Sequence, residues 1–403
     1  MLDVKTPEEA LRLIQESFTP IAGRGTAPLS AALGRVLAED VTADEFVPDF
    51  DRSTVDGYAL RARDSFGCSD SLPAVLTLAG EVQMGRAAEL RLEKGCCAYV
   101  PTGGAIPEGA DCAVMLEYVE DYGDGTVGIL KSAAPGTNLI FRGDDVSPGK
   151  TVLRAGRVLA PRDIGALAAL GVTEVPVRPR LRVGLISTGD ELVEAAEKPG
   201  PGQMRDVNTP MLSALFELHG AECRSFGIVR DEEALLRGAV GAALVDCDAV
   251  VISGGSSAGV RDAACKVIES FGELLLHGIA VKPGKPCILG RAGNRPLFGL
   301  PGHPAAALCA AKLFVLPLLD RLEGRVTELR PVRAFLSESL SADHGRMQIS
   351  PCRLEKENGR LVAVPIRSKS GLIARLADAD GYIMIDRDCE GLAKGAEVEV
   401  YPW

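Results

Sequence analysis

The sequence has few aromatic residues, few histidines and no long apolar segment. Aromatic residues make up 4% of its 403 residues, and only four residues are histidines. No run approaches the roughly 18 apolar residues of a membrane span, and the charged N-terminus lacks the apolar centre of a signal peptide. The net charge of −11 opposes non-specific binding to nucleic acid or to an anionic membrane. These features predict a cytoplasmic protein that binds neither.

The eleven cysteines lack the spacing of a metal site or of a disulfide framework. No C-x-x-C pair occurs, and the adjacent Cys96 and Cys97 have poor geometry for an ordinary disulfide. No histidine lies at ligand spacing from a cysteine. We therefore expect most of the thiols to be small buried hydrophobic groups in a reducing compartment.

The chain is longer than one hydrophobic core normally organises, which predicts a multidomain protein. Residues 4–40 predict two short amphipathic helices, the first capped at Thr6. Short alternating runs broken by glycine and proline then predict a β-rich module, and a helix is expected at residues 162–170. The segment from residue 138 onward is expected to pack back against the first helices.

From Arg180 the pattern alternates between apolar strands and helices. Helices are expected from Asn208 to Gly220 and from Asp231 to Leu244, and a long helix should end near Leu322. Such alternation is typical of a parallel sheet covered on both faces. After Arg330 short strands predict a small antiparallel barrel or sandwich. The overall fold class is therefore α/β plus β.

Three glycine-bearing turns follow predicted strands, and ligands of such sheets bind beyond the carboxyl ends of the strands. In the first turn, residues 186–191, hydroxyls and amides could meet an anion while Asp190 or Glu191 meets a metal or a base. A plain helix cap explains this turn equally well. In the second, residues 253–262, glycines would let the backbone approach a phosphate. Asp262 is either an ordinary acid at a helix start or a cation ligand, and we favour the ligand.

The third region joins residues 282–286 to residues 299–304. Lys282 and Lys285 are held between prolines, which makes a stiff cationic loop suited to an oxyanion. His303 is either an acid or base or the cap of the last helix, and we favour the cap. Three further turns, at residues 51–59, 101–104 and 142–145, would each be ordinary loops if they occurred alone.

Together these stretches resemble the MoeA family of molybdopterin molybdenumtransferases, which includes the E-domain of gephyrin-type proteins. The resemblance covers essentially the whole chain. It rests on motifs that occur in the family's order: STVDGYA, PTGGAIPEGAD, RGDD, ISTGDEL, NTPML, DAVVISGGSSAGVRD, KPGKP and GLPGHP.

The resemblance implies four domains and an elongated homodimer. The active site would lie between the sheet domain of one subunit and the β-rich module of the other. The implied domains are a helical domain split between residues 1–45 and 138–178, a β-rich insertion at 46–137, a molybdopterin-binding α/β domain at 179–328 and a C-terminal β-barrel at 329–403.

The resemblance also implies a reaction in which molybdate enters adenylated molybdopterin, with Mg²⁺ present, and AMP leaves. Catalytic roles fall on Asp56, Thr102, Asp145, Glu191, Asp248 and Asp262, with Glu191, Asp248 and Asp262 as metal ligands. Pterin and phosphate binding falls on Ser253, Gly254, Gly255, Ser257, Gly259, Pro301 and Gly302. Molybdate binding falls on Lys282, Lys285, Arg346 and Ser370.

The chain departs from the family's usual pattern near the implied anion site. Val260 replaces a frequent acid, His303 and Ala306 replace an amide and a hydroxyl, and Pro351 replaces a frequent arginine. We expect activity to be retained with altered oxyanion affinity. Three alternatives remain: a non-catalytic pterin-binding scaffold, a pterin adenylyltransferase, and an enzyme whose physiological anion is tungstate. Transient contacts with a pterin adenylyltransferase and with molybdoenzyme acceptors are also expected.

Overall fold

A computed structural model describes residues 4–254, 258–327, 330–367 and 370–403, without the side chains of residues 258–261. The chain forms two compact units. The large unit consists of Met1–Glu39, Gly156–Ala160 and Val175–Trp403, and the small unit of Asp40–Ala155 and Pro161–Glu174.

The first helix begins where the sequence predicts it. In α1 (Pro7–Ser17) the Thr6 hydroxyl accepts from the Glu9 amide at 3.2 Å, and the Glu9 carboxylate accepts from the Thr6 amide at 2.8 Å. The predicted second helix is wrong. Strand β1 (Gly25–Pro28) and a 3₁₀ turn (Leu29–Ala31) follow instead, since closely spaced prolines and glycines cannot sustain a helix there.

The small unit is β-rich, as predicted. Its sheet has the order β7-β4-β6-β5-β9-β8 and encloses a core that includes Leu60, Cys97 and Ile129. Helix α2 (Pro161–Ala169) lies within one residue of its predicted position. The strands are β2 (Val41–Thr42), β3 (Arg52–Ser53), β4 (Gly57–Leu60), β5 (Ala74–Glu81), β6 (Cys96–Val100), β7 (Cys112–Met115), β8 (Val119–Asp121), β9 (Thr126–Ile129), β10 (Leu139–Ile140) and β11 (Thr151–Leu153).

A six-stranded sheet forms the centre of the large unit. The elements from residue 174 onward are β12 (Glu174–Val177), β13 (Arg182–Thr188), β14 (Leu192–Val193), β15 (Met204–Arg205), α3 (Asn208–Leu218), β16 (Glu222–Val229), α4 (Glu233–Asp246), β17 (Ala249–Gly254), α5 (Ala258–Phe271), β18 (Glu273–His277), β19 (Val281–Lys282), β20 (Ile288–Ala292) and β21 (Arg295–Leu300). The strand order is β16-β13-β17-β21-β20-β18.

The sheet is parallel from β16 to β21, as predicted, but β20 runs antiparallel both to β21 and to its other neighbour, β18. Only Gly293 and Asn294 separate β20 from β21, and so short a connection joins antiparallel strands alone. The prediction that both faces are covered is confirmed. Val251 packs with α3 on one face, while Val250 and Ile252 pack with α4 and α5 on the other.

The predicted long helix is a continuous helical run. It consists of α6 (Pro304–Ala310), a π-helical turn (Ala311–Val315) and α7 (Leu316–Glu323). It stops at Gly324, whose φ of +70° is a left-handed conformation that favours glycine.

The C-terminal region is a closed barrel of five strands, as the sequence predicts. Strand order is β24-β25-β22-β28-β26, and pairing of β24 with β26 closes the ring. The pairing of β22 with β25 is parallel, unlike the antiparallel arrangement expected. The elements are β22 (Val332–Leu336), β23 (Leu340–Ser341), β24 (Met347–Glu357), β25 (Arg360–Pro365), α8 (Ile373–Leu376), β26 (Gly381–Ile385), β27 (Gly391–Leu392) and β28 (Glu397–Pro402).

The structure describes all eleven cysteines, and none of them forms a disulfide. Burial raises the pKa of four of them, Cys97, Cys112, Cys309 and Cys352, to about 12. These thiols behave as small buried hydrophobic groups, as predicted. Within the part of the chain that the structure describes, no helix is both long and apolar enough to span a membrane.

Candidate functional site

The three glycine-bearing turns of the large unit leave the sheet side by side. Thr188 ends β13 opposite Gly254 at the end of β17, and Ser253 lies opposite Leu300 at the end of β21. Strands β13, β17 and β21 are parallel, so their turns share the carboxyl edge of the sheet. The three turns therefore leave the sheet at the edge where such sheets bind ligands.

Gly254 is required by the close approach of two strand ends. Its φ is +138°, and a Cβ placed on it would lie 2.0 Å from the carbonyl oxygen of Thr188. Gly255 and Ser257, which were predicted to bind pterin and phosphate, lie outside the described residues. Gly259 lies in the first turn of α5.

Asn208, the first residue of α3, joins two of the predicted ligand-binding turns. Its side-chain Nδ2 donates to Ser253 Oγ at 2.8 Å and to the Gly302 carbonyl at 2.9 Å. The Asp206 carboxylate accepts from the backbone N–H of Asn208 at 3.0 Å, which fixes the start of the helix. Pro301, beside Gly302, is buried. Ser253, Pro301 and Gly302 are therefore held together at one place.

Acidic side chains lie at the same edge. The Thr188 hydroxyl donates to the Asp231 carboxylate at 2.7 Å, and the Asp231 amide lies 3.3 Å from the carboxylate of Asp190. Glu191 and Asp262 are exposed, in the turn after β13 and in α5. Sequence reasoning overlooked Asp231, although its position just after β16 signals the same edge of the sheet.

The predicted role of Asp248 as a cation ligand is wrong. Its carboxylate accepts from the Arg182 amide at 2.8 Å, and both residues lie at the amino ends of their strands. The six residues of β17 span about 20 Å at the rise of an extended strand. Asp248 therefore cannot share one cation with Glu191 and Asp262 at the opposite edge.

No group of three or more histidines, cysteines or acids that could hold a metal ion occurs among the described residues. Mg²⁺ commonly binds through one or two carboxylates, with waters and substrate phosphates as its other ligands. The acids near Thr188 suit such a substrate-dependent cation, since they need not supply a complete ligand set.

The predicted oxyanion loop contains an ion pair. Lys282 Nζ donates to Asp343 Oδ2 at 2.7 Å, and both side chains are about half exposed. The hydrogen bond from Lys282 chiefly lowers the pKa of Asp343, with further contributions from the charges of Lys282 and Arg346. Lys282 and Arg346 thus act on one carboxylate. Lys285 is exposed, and its backbone carbonyl accepts from Ile279 at 3.0 Å.

This loop packs against the start of α6. A Cβ on Gly284 would lie 3.7 Å from the Ala306 carbonyl oxygen. His303 occupies the N-cap position, as predicted, but its side chain caps no backbone amide. Its Nδ1 instead lies 3.0 Å from Ser370 Oγ, and the Ser370 carbonyl accepts from the Ala305 amide at 3.1 Å. Ser370 is thereby placed beside the loop that contains Gly302.

The small unit brings its own predicted turns together. The Asp56 carboxylate accepts from the Thr102 amide at 2.8 Å. Ser53 exchanges backbone hydrogen bonds with Gly103 and Gly104, at 2.8 and 3.0 Å. These bonds join the turn at residues 51–59 to the turn at residues 101–104.

The third turn of the small unit joins the same cluster through Asp51. The carboxylate of Asp51 accepts from the Arg142 amide at 2.8 Å. The Arg142 guanidinium binds Asp49 at 2.9 Å and lies over the ring of Phe46. Asp145 is exposed, and its backbone carbonyl accepts from Lys150 at 3.3 Å.

Models of three protein families together match almost the whole chain. Residues 5–171 match the MoeA N-terminal region (domain I and II), and residues 184–321 match a probable molybdopterin binding domain. Residues 333–403 match the MoeA C-terminal region (domain IV).

Relatives and solved structures agree with these matches. The molybdopterin molybdenumtransferase 2 of Mycobacterium tuberculosis H37Rv is 34% identical over 386 residues, which cover 93% of this chain and 94% of that protein. The molybdopterin molybdenumtransferase of Bacillus subtilis is 31% identical over 409 residues, covering 99% and 95%. The crystal structure of the molybdopterin biosynthesis moeA protein from Pyrococcus horikoshii OT3 covers all of both chains, with 34% identity and a TM-score of 0.89. The chain belongs to the MoeA family.

Proposed function

We propose that this chain is a molybdopterin molybdenumtransferase, which inserts molybdate into adenylated molybdopterin and releases AMP. The observation that carries the proposal is the junction of Ser253, Gly254 and Gly302 at the carboxyl edge of the sheet, with acids beside it. Doubly wound sheets bind ligands at this edge. The likeness to named transferases over the whole chain supports the same activity.

The turn after β17 binds the pterin and its phosphate in this proposal. Glycines let backbone amides approach an anion, and the start of α5 adds the positive end of a helix dipole. Glu191 and Asp262, with Asp231 in place of Asp248, would hold Mg²⁺ together with substrate phosphate. These carboxylates alone would repel an anionic substrate, and a cation held among them would supply the charge that neutralises the phosphate.

Molybdate is held by Lys282, Lys285, Arg346 and Ser370. The 282–286 loop contacts α6, and Ser370 contacts His303 at the start of the same helix. These two contacts support a shared site for the lysines and Ser370. Lys282 exchanges its bond to Asp343 for a bond to the oxyanion. The hydrogen bonds from cationic groups and from the Ser370 hydroxyl fix the oxyanion while AMP departs.

The proposed assembly is a homodimer. In it, Asp56, Thr102 and Asp145 complete the site of the partner subunit, and the residue ranges of the four domains are those expected from the sequence. The compact grouping of the Asp56 and Thr102 turns supports a shared role for them. Cysteines that form no disulfides support a reducing cytoplasm as the compartment.

The proposal is tested by AMP release from adenylated molybdopterin with Mg²⁺, in the presence and absence of molybdate. We expect release to depend on molybdate and to yield a molybdenum-containing pterin. Pterin binding without release would favour the scaffold. ATP consumption with non-adenylated pterin would favour the adenylyltransferase. A larger kcat/KM for tungstate than for molybdate would favour tungstate as the physiological anion.

A further inference from the structure

The amide of Asn208 has only one orientation that satisfies its surroundings. The Gly302 carbonyl can only accept a hydrogen bond, so the group facing it at 2.9 Å must be the NH₂ group of the amide. The residue is 7% exposed, and its Oδ1 is buried without a partner in the described part of the chain. Leaving Oδ1 buried and unpaired costs free energy. The flipped amide would cost more, because it would place Oδ1 against the carbonyl oxygen of Gly302. The two contacts of Nδ2 therefore determine the orientation.

This orientation determines what Ser253 can do. Asn208 Nδ2 donates to Ser253 Oγ at 2.8 Å, so the serine oxygen accepts and its own hydrogen points to another group. Ser253 is 4% exposed and is the last residue but one of β17, beside the proposed pterin and phosphate turn. Its hydroxyl is thereby kept as a donor for an anionic or carbonyl-bearing ligand.

The same side chain sets the separation of two turns. Ser253 and Gly302 are 49 positions apart in sequence, and Asn208 binds both at once. A Cβ on Gly302 would lie 3.6 Å from the Cα of Gly254, so the backbones of the two turns are near contact. The bridge keeps the loop that contains Pro301 and Gly302 against the phosphate turn.

We propose that Asn208 is a positioning residue for pterin binding, which holds the turns together and keeps the Ser253 hydroxyl free to donate to the substrate. The inference rests on the proposed function, because the ligand is the adenylated pterin. Asn208 acts through Ser253 and Gly302 and takes no part in the transfer step itself.

The test is the calorimetric Kd of adenylated molybdopterin for wild type, Asn208→Asp, Ser253→Ala and the double variant, at pH 8 and pH 6. Asn208→Asp keeps the size but presents a carboxylate, which accepts from Ser253 and opposes the Gly302 carbonyl. We expect binding roughly 10- to 100-fold weaker than wild type at pH 8. Protonation of the introduced buried carboxyl restores a donor, so the ratio to wild type should shrink at pH 6.

Asn294→Asp is the matched control, since Asn294 also donates its amide to a backbone carbonyl, that of Thr19 at 2.9 Å, far along the chain from these turns. It should bind like wild type. Ser253→Ala should weaken binding, and the double variant should bind no worse than Asn208→Asp alone, because both changes remove one donor.

Wild-type affinity in Asn208→Asp would overturn the inference. A loss that is the same at both pH values and adds fully to that of Ser253→Ala would also overturn it, since it would indicate structural damage alone. Pterin binding that follows the expected pattern without AMP release by wild type would refute the transferase and leave the role of Asn208 intact. Absence of pterin binding by wild type would refute both.

Discussion

Lys282 Nζ lies 2.7 Å from Asp343 Oδ2, so the lysine proposed for the oxyanion already has an anionic partner within its own chain. In the proposed function, Asp343 gives way when molybdate binds. Because both side chains are about half exposed, solvent screens the pair and keeps this exchange inexpensive in free energy.

Replacing Asp343 by Asn should therefore strengthen molybdate binding. The change removes a competitor of the oxyanion and a negative charge near Lys282 and Arg346. We expect a Kd or KM for molybdate that is roughly two- to fivefold lower, with a smaller effect at high salt. Glu338→Gln breaks a comparable exposed pair with Arg367 and serves as the control. Weaker binding in Asp343→Asn would show that the carboxylate supports the site.

Asp231 and Asp248 should differ sharply in their effect on activity. Asp231→Ala removes a carboxylate bound to Thr188 at the carboxyl edge, and we expect a loss of roughly 100-fold or more in kcat/KM that excess Mg²⁺ partly relieves. Asp248→Ala removes a partner of Arg182 at the other edge and should lower stability by about 1 kcal/mol without changing the Mg²⁺ requirement. A strong Mg²⁺ defect in Asp248→Ala would place the cation elsewhere.

Gly254→Ala should destabilise the end of β17, next to the turn proposed to bind phosphate. The added Cβ would meet the Thr188 carbonyl at 2.0 Å at a φ of +138°, so we expect a cost of roughly 3 kcal/mol or more and loss of pterin binding. Gly293→Ala is the control for positive φ alone, because its φ is +63° and nothing lies within 4 Å of the new Cβ. Urea unfolding should give about 1 kcal/mol for it. Equal costs for the two variants would contradict the proposed close approach.

Thiol reactivity should follow burial. With a pKa of about 12, the thiols of Cys97, Cys112, Cys309 and Cys352 are roughly 10⁻⁴ ionised at pH 8, and the thiolate is the form that reacts. Raising the pH increases their thiolate fraction, but burial still blocks access. Iodoacetamide at pH 8, with mass spectrometry, should label Cys96 and Cys389 well before these four. Denatured protein should lose this difference.

The sequence predicts those parts of the fold that depend on neighbouring residues and on strand direction. The cap at Thr6 is a local pattern, and the shared edge of the three turns follows from parallel strands. The same reasoning would have excluded Asp248, which precedes its strand, and would have found Asp231, which follows one. Asp248 was assigned as a ligand, and Asp231 was passed over, without regard to which end of the sheet each acid occupies.

Other features depend on contacts between distant residues and leave no local signal. The Lys282–Asp343 pair joins residues 61 positions apart, and Asn208 meets Gly302 across 94 positions. The sequence favours a helix cap for the ring of His303, and only tertiary packing places it on Ser370. Such pairings determine the geometry of the site after the fold has formed.

The most direct test of the central claim is AMP release from adenylated molybdopterin with Mg²⁺, with and without molybdate, by wild type, Asp262→Ala and Lys282→Ala. The proposed transferase predicts molybdate-dependent release by wild type, loss in Asp262→Ala, and a raised molybdate requirement in Lys282→Ala. Release by wild type that ignores molybdate, or that persists unchanged in both variants, would contradict the assignment of this chemistry to the carboxyl edge of the sheet.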